Sequence, residues 1–312
     1  MTISLTYKAC IIAGFLLLAG CQGTPQTDQL NAQALSRLPP SAQIQNVPFY
    51  PQQAFYCGPT TLAEVFGFYG QEVSADDIAP KLFIPGKEGS LQLEMVSATR
   101  RYGFLPYTDK GTLSDVMQLV SDQIPVIVFQ NLSVQWLPQW HYAVVTGFDK
   151  QQQEFIVHTG VTPSHRMSFS LFERTWGRAG YWFLAPLTPQ RQSQALDPYI
   201  YIKAAYDMLK VGNSKQAEAF LVAATRQWPG QWLSYFLLAN HFAETDIKAA
   251  LNWYEQGYQA GQHQPAYLNN YALALEQSGQ PEPARQILTE ALSRFPDDTN
   301  LQDTKVQLFG IR

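Results

Sequence analysis

The feature that most constrains the fold of this chain is an internal repeat in its C-terminal third. Ten small or turn-forming residues form five pairs at a constant offset of 67 positions: Ala205, Gly212, Ala217, Ala224 and Pro229 recur as Ala272, Gly279, Ala284, Ala291 and Pro296. The offset equals two units of roughly 34 residues, and a shorter middle unit fits between them. A unit of that size cannot bury an apolar face alone, so neighbouring units must stack. Residues 198–298 are therefore predicted to form an all-α solenoid of three units, followed by a C-terminal helix or tail over 299–312.

Composition excludes several classes of protein. The 312 residues fit about two domains, and a hydrophobic content of 46% with only 15% charged residues excludes disorder of the whole chain. A net charge of −4 gives no electrostatic footprint for nucleic acid. Three cysteines are too few for a disulfide scaffold or a four-cysteine metal site. Phosphate-loop and HExxH motifs are absent from the sequence, so no cofactor and no metal are expected.

The N-terminus has the pattern of a bacterial lipoprotein signal. Residues 1–20 contain Lys8, then an apolar run too short to span a bilayer, and the segment ends Leu-Ala-Gly before Cys21. This pattern predicts cleavage before Cys21 and lipidation of its thiol, which anchors the protein to a membrane. The alternative is an ordinary signal that happens to contain Cys21. Because Gln22 follows the cysteine, analogy with lipoprotein sorting favours the outer membrane, facing the periplasm. The polar residues 21–44 are predicted to be a tether.

Residues 45–188 are predicted to form an α+β domain with an antiparallel sheet. Helical periodicity dominates the first half of this region, with helices beginning near Cys57, Ser74, Ser90 and residue 112. The period then changes to that of strands, which are predicted at residues 124–129, 141–148, 154–158, 166–169 and 181–186. Helices followed by a run of strands are typical of the α+β class.

Cys57 is the candidate nucleophile. Once the signal is removed and Cys21 is lipidated, it is the one free thiol left in the mature chain. Cysteine attacks as a thiolate, and Cys57 stands where a helix is predicted to begin, with Pro59 two residues later. The free N–H groups and dipole of a helix start lower a thiol pKa, so we expect a lowered value here. The alternative is a small, inert core cysteine.

Two further residues complete a candidate acyl-transfer site. His141 begins a predicted strand, which is where papain-type sites place the group that stabilises the thiolate and protonates the leaving group. Its alternative is a strand-end histidine without catalytic role. Acyl transfer also needs oxyanion donors, for which the Cys57 N–H and the amide of Gln52 are the candidates. Gln53 is the less favoured neighbour, and a solvated side chain is the alternative for either glutamine.

Four stretches resemble the papain-like peptidases that process double-glycine leaders of bacteriocins, and especially their lipoprotein subgroup with C-terminal tetratricopeptide repeats. The stretches are VPFYPQ at 47–52, CGPTTLA at 57–63, GKEGSLQLE at 86–94 and WHYAVVTG at 140–147. The C-terminal repeat, with its units of roughly 34 residues, resembles the tetratricopeptide repeat. The resemblance implies a papain-like cysteine peptidase domain with Gln52 in the oxyanion hole, Cys57 as nucleophile and His141 as base and acid.

One position departs from the pattern of that family. Where such peptidases place an aspartate followed by proline, this chain has Thr159 and Gly160, with His158 beside them. Thr159 can accept the imidazole N–H but brings no charge, so we expect a slow enzyme. His158 and Asp149 are the alternative partners of His141.

The leading hypothesis is a lipid-anchored envelope cysteine peptidase whose repeats recruit a substrate or a partner protein. A cell-wall peptide hydrolase or acyl transferase on the same fold is the first alternative. A non-catalytic scaffold that only binds peptides is the second.

Overall fold

The computed structural model describes residues 23–30, 38–83 and 89–310. The predicted signal peptide at 1–20 and the predicted lipidation site Cys21 lie outside these residues. The chain divides into two compact units. One consists of the described residues up to Ala98 together with Thr108–Pro186, and the other of Thr99–Tyr107 together with the described part of Leu187–Arg312.

Helices occupy mainly the first half of the region up to Pro186. They are α1 (Pro25–Gln29), α2 (Cys57–Phe68), α3 (Ala75–Leu82), α4 (Gln92–Arg101), α5 (Leu113–Ser121) and α6 (Phe169–Gly177). Side-chain caps explain where several begin. Ser74 and Thr112 each accept a backbone N–H from an aspartate three residues later, and that aspartate returns the bond to form a capping box.

The strands form one seven-stranded sheet. They are β1 (Ser41–Gln43), β2 (Leu105–Lys110), β3 (Val126–Asn131), β4 (Trp140–Asp149), β5 (Glu154–Thr159), β6 (Thr162–Ser168) and β7 (Trp182–Leu187). The order is β2-β7-β3-β4-β5-β6, with β1 added on β4. The pairs β1–β4, β3–β4, β3–β7, β4–β5 and β5–β6 are antiparallel, so the predicted α+β class is confirmed. The sheet includes β1 and β2, which the sequence pattern did not predict.

Part of the segment predicted to be a tether is packed onto the sheet. β1 pairs with the end of β4, and the N–H of Ile44 donates to the carbonyl of Thr146 at 2.7 Å. Gly147 makes this approach possible, because a Cβ there would lie 2.9 Å from the Ala42 carbonyl oxygen. Helix α1 is held by Glu173, whose carboxylate accepts the N–H of Gln26 at 2.8 Å. These contacts use the backbone of a polar segment, which explains why composition alone indicated a tether.

Helix α2 positions the functional site. It packs against β4, and its residues from Gly58 to Phe66 are buried. Its apolar side chains, such as Leu62, Val65 and Phe66, have no exposed surface. The first residue of α2, Cys57, is thereby fixed near the start of β4.

The second unit is all-helical after Leu187, as predicted. Its helices are α7 (Pro198–Lys210), α8 (Ser214–Gln227), α9 (Trp232–Ala243), α10 (Ile247–Gln256), α11 (Tyr258–Gly261), α12 (Pro265–Gln277), α13 (Pro281–Arg294) and α14 (Thr299–Phe309). The repeated alanines are fully buried between paired helices: Ala205, Ala217, Ala224, Ala272, Ala284 and Ala291. The repeated glycines Gly212 and Gly279 take φ values of +87° and +79° at the inter-helix turns. In the residues described, no helix is both long and apolar enough to cross a bilayer.

Candidate active site

Cys57 is the first residue of α2 and a half-buried free thiol. A tight turn precedes it, in which the Tyr56 N–H donates to the Gln53 carbonyl at 3.1 Å. Within this turn Phe55 has a φ of +66°, a left-handed conformation that is costly for a bulky residue. The chain therefore turns sharply into the helix, and the thiol meets the N–H groups of the first helical turn.

The backbone of Tyr142 joins Cys57 to Gln52. Pairing between β4 and β5 stops at Val144 and His158, so the Tyr142 peptide groups are available to other partners. The Tyr142 N–H faces the Cys57 thiol and acts to lower its pKa. Its carbonyl accepts the Gln52 side-chain amide at 3.4 Å, and the Gln52 N–H donates to Gly160 at 2.9 Å. Because an amide NH₂ has two protons, one remains available to a substrate oxygen.

His141 and Thr159 are in hydrogen-bond contact. Nε2 of His141 lies 2.8 Å from the Thr159 hydroxyl oxygen. Thr159 is the last residue of β5, the strand that pairs with the His141 strand. With Nε2 engaged by Thr159, Nδ1 is the ring nitrogen that would have to act as the base. The structure thus pairs His141 with Thr159, and it places Gln52 and Cys57 beside the backbone of Tyr142, the residue that follows His141.

Burial controls the protonation of the candidate dyad. It raises the pKa of the Cys57 thiol, against the opposing effect of the N–H groups of Tyr142, Gly58 and Cys57 itself. It also lowers the pKa of His141 to about 4. The lowered thiol pKa expected from the helix start is therefore not found, because removal from water outweighs the hydrogen bonds to the anion. Near neutral pH both side chains are uncharged in the resting site.

The two alternative partners of His141 make other contacts. Asp149 ends β4 and accepts the N–H groups of Gln151 and Gln152 at 3.0 and 3.1 Å. It stands eight positions along the extended strand from His141, which corresponds to roughly 26 Å. His158 instead packs edge-on against Phe49, with ring centroids 5.4 Å apart.

Sequence reasoning missed three residues beside the site. Tyr142 contributes its backbone, and its phenol donates to the Ser90 carbonyl at 3.1 Å. The Ser90 side chain lies so close to Gly58 that a Cβ there would be 2.4 Å from its hydroxyl oxygen. Glu64 is a fully buried carboxylate on α2. A charged residue inside the apolar run of that helix was the one available signal. In the described part of the chain, no three His, Cys, Asp or Glu side chains are grouped to hold a metal ion.

Comparison with protein families gives two matches. The model of the Peptidase C39 like family matches residues 44–182. The model described as YpiA-like, C-terminal tetratricopeptide repeats matches residues 235–298. The first match contains Gln52, Cys57, His141 and Thr159, and the second covers the middle and last predicted repeat units. Among curated proteins, none matches this chain.

Solved structures include two peptidases that resemble part of the chain. A C39-like peptidase from Bacillus anthracis is 15% identical, with a TM-score of 0.40, over 49% of this chain and 99% of its own. The peptidase domain of Streptococcus ComA, a bifunctional ABC transporter, is 26% identical with a TM-score of 0.37, over 46% of this chain and 100% of its own. From the family matches, residues 44–182 form a domain of the Peptidase C39 like family, and C-terminal tetratricopeptide repeats follow it.

Proposed function

We propose that this protein is a cysteine peptidase of the bacterial envelope that cleaves peptide bonds through an acyl-enzyme on Cys57. The observation that carries the proposal is the 2.8 Å contact between His141 Nε2 and the Thr159 hydroxyl, in a domain where Cys57 is the first residue of a buried helix packed against the His141 strand. Lipid on Cys21 would anchor the chain in the outer membrane, facing the periplasm. The repeats would bind the substrate or a partner protein.

Acylation in this site begins with neutral groups. As the Cys57 sulfur forms a bond to the carbonyl carbon of the scissile peptide, its proton passes to Nδ1 of His141. The carbonyl oxygen gains negative charge, which the Gln52 amide and the Cys57 N–H stabilise. Collapse of the tetrahedral intermediate breaks the carbon–nitrogen bond, and the imidazolium gives its proton to the leaving amine. The thioester of Cys57 remains.

Deacylation reverses the roles around the thioester. A water molecule gives a proton to the neutral His141 and attacks the thioester carbon. The second intermediate releases the new carboxylic acid, and the sulfur recovers its proton from the imidazolium. In both halves Thr159 fixes the ring orientation without supplying charge.

Exposed aromatic side chains flank the nucleophile and the base, which supports a peptide substrate with apolar side chains. Phe55 is 53% and Trp140 51% exposed, although each is within two residues of a catalytic candidate. The Trp140 ring is held in place by stacking on Phe129 at 5.1 Å. A cavity of about 380 Å³ lined by Tyr50, Tyr56 and neighbouring residues opens beside the Gln52 segment. Such apolar surfaces next to a cleft are typical of ligand-binding sites.

The direct test is a comparison of new protein N-termini in cells producing the wild-type protein or Cys57→Ser. We expect a small set of N-termini that depends on Cys57. The matched control is Cys10→Ser, which changes a cysteine of the predicted signal peptide and leaves the set unchanged. An identical set in the Cys57→Ser cells would contradict the peptidase proposal.

A second assay separates the alternative functions. Purified protein is incubated with muropeptides and, in parallel, with a thiol-reactive acylating probe. Cleavage of muropeptides alone would favour the cell-wall hydrolase. Absence of Cys57 acylation would favour the non-catalytic scaffold.

A further inference from the structure

Glu64 is a buried carboxylate that the proposed reaction does not use. It lies seven residues after Cys57, which is about 10 Å further along α2 on the same face of the helix. Its exposed fraction is 0%. Burying a carboxylate in an apolar helix face is costly unless its oxygens have partners. The contacts of the two carboxylate oxygens therefore indicate what Glu64 does.

One carboxylate oxygen binds the segment that carries Gln52. Oε1 of Glu64 accepts the backbone N–H of Tyr50 at 3.0 Å. Tyr50 stands two residues before Gln52 and is followed by Pro51, whose ring restricts the connecting backbone. Fixing the Tyr50 peptide therefore limits where the Gln52 side chain can reach. The Gln52 N–H is itself bound by Gly160 at 2.9 Å, so this segment is held on both sides of Pro51.

The other oxygen faces a buried histidine. Oε2 of Glu64 lies 3.7 Å from Nδ1 of His158, which is longer than a hydrogen bond but within the range of an ion pair. His158 is 6% exposed and packs against Phe49, the residue before Tyr50. Burial raises the pKa of Glu64, and the neighbouring His158 acts in the opposite direction. The histidine thus offsets part of the cost of keeping a carboxylate at this position.

We infer that Glu64 is a positioning residue that holds Gln52 at the oxyanion site by binding the Tyr50 N–H, with His158 as its buried partner. The inference rests on the proposed function, because it makes Glu64 the support of Gln52, the oxyanion donor of that reaction. It links the helix that carries the nucleophile directly to the segment that carries Gln52. A change at Glu64 should therefore impair steps that develop an oxyanion and spare steps that do not.

Two small probes of Cys57 make this distinction without a known substrate. Acylation by p-nitrophenyl acetate passes through a tetrahedral oxyanion, whereas alkylation by iodoacetamide does not. We expect Glu64→Met, which keeps the volume without the acceptor, to lower the acylation rate by about tenfold. Alkylation should change less than about twofold, because the thiol keeps its own contacts. Glu64→Gln can still accept the Tyr50 N–H and should restore acylation to within about threefold of wild type.

The double variant with Gln52→Ala tests the route of the effect. If Glu64 acts through Gln52, adding Glu64→Met to Gln52→Ala lowers acylation no further. A general structural defect would instead add to the loss and slow alkylation as well. Glu173→Met is the matched control, because Glu173 is also buried and also accepts backbone N–H groups, but from Gln26 and Thr27. It should leave both rates unchanged.

Amide hydrogen exchange tests the inference independently of the acylation and alkylation rates. In the wild-type protein the Tyr50 amide should be protected, and Glu64→Met should remove that protection while Glu64→Gln retains it. Normal acylation in a folded Glu64→Met protein would overturn the inference. An unprotected Tyr50 amide in the wild type would overturn it as well, and that measurement does not require the variant to fold. No effect of Gln52→Ala on acylation would instead contradict the oxyanion assignment in the proposed function. A wild-type Cys57 that is not acylated would contradict the peptidase proposal. Hydrogen exchange of the Tyr50 amide in the wild type and the Glu64 variants would still show whether Glu64 holds the segment that carries Gln52.

Discussion

The hydroxyl of Thr159 lies 2.8 Å from Nε2 of His141, where it orients the ring without providing charge. A carboxylate in this place would favour the imidazolium form, whereas the burial of His141 lowers its pKa to about 4. The pair of His141 and Thr159 therefore has the orienting hydrogen bond of a catalytic triad but lacks its usual negative charge. Burial thus keeps both members of the candidate dyad in their neutral forms, and among the residues described no carboxylate beside His141 opposes it there.

We expect Thr159→Asp to raise the rate of Cys57 acylation by p-nitrophenyl acetate several-fold. A charge-assisted hydrogen bond is about twice as strong as a neutral one, and a gain on the order of 1 kcal/mol corresponds to a factor of several in rate. The added carboxylate should also raise the pKa of His141, so the acid limb of the pH profile moves to higher pH. Thr159→Val, which removes the hydroxyl but keeps the shape, should lower the rate. An unchanged rate and profile in Thr159→Asp would remove this position from the site.

Asp149→Ala should not affect the reactivity of Cys57. Asp149 binds two amides of the turn after β4 and lies 3.9 Å from Arg166, at the other end of the strand from His141. We expect a small loss of thermal stability and an acylation rate within about twofold of wild type, as for a surface turn. A tenfold or larger loss of rate would assign Asp149 to the catalytic partner of His141 instead.

Local patterns in the sequence predicted the features that depend on neighbouring residues. The constant offset between Ala205 and Ala272 predicted the helical repeats, because small residues are needed wherever two helices approach closely. The five predicted strands were present because a short apolar run or an alternation of apolar residues is a property of each strand alone. Gln52, Cys57 and His141 were identifiable because their residue types and flanking elements are typical of acyl-transfer sites.

Features that depend on distant contacts could not be predicted. Glu64 and His158 are 94 positions apart, and nothing local to either shows that they face each other. Strand β1 is too short and polar to have a pattern of its own, since it exists through pairing with β4. The direction of the Cys57 pKa was also misjudged, because the helix start is visible in the sequence and the burial of the thiol is not.

The pH dependence of Cys57 should differ between two reactions. Because burial raises the pKa of Cys57, alkylation by iodoacetamide should be slow near neutral pH and still rising above pH about 8.5, the usual thiol value. Acylation uses the neutral His141 as base, so it should persist in mild acid and decline only as pH falls through about 4, where the ring gains a proton.

The control for this comparison is His141→Ala, which should abolish the acid limb of acylation. Both rates are measured on the same preparations across the pH range. An alkylation rate at neutral pH above that of free cysteine would contradict the raised thiol pKa and support a preformed thiolate.

Cys21→Ser should release the protein from membrane pellets or leave it unprocessed. The expectation follows from the Leu-Ala-Gly-Cys sequence at the end of the apolar N-terminal segment. Fractionation and intact mass of the wild type and of Cys21→Ser measure it, with Cys10→Ser as the control that keeps lipidation. A Cys21→Ser protein that is processed and remains in the membrane fraction would contradict the anchor.

Gly58→Ala should destabilise the protein and slow Cys57 acylation, because the new methyl group has no room. Its carbon would lie 2.4 Å from the Ser90 hydroxyl oxygen and 2.7 Å from the Ser90 Cβ, at the first turn of α2. Overpacking of this kind costs about 1–3 kcal/mol, and relief by a shift of the helix start would displace the neighbouring thiol. Ser90→Gly removes these two nearest atoms and leaves only the flexible Met95 sulfur at 3.0 Å, so the double variant should be more stable in urea unfolding than the sum of the single effects implies. It should also recover part of the acylation rate.

Gly70→Ala is a useful contrast, because Gly70 has open space around it but a φ of +82°. That variant should lose stability through backbone strain alone, and Ser90→Gly should not rescue it. Strictly additive effects of Gly58→Ala and Ser90→Gly would show that the two residues do not compete for the same space.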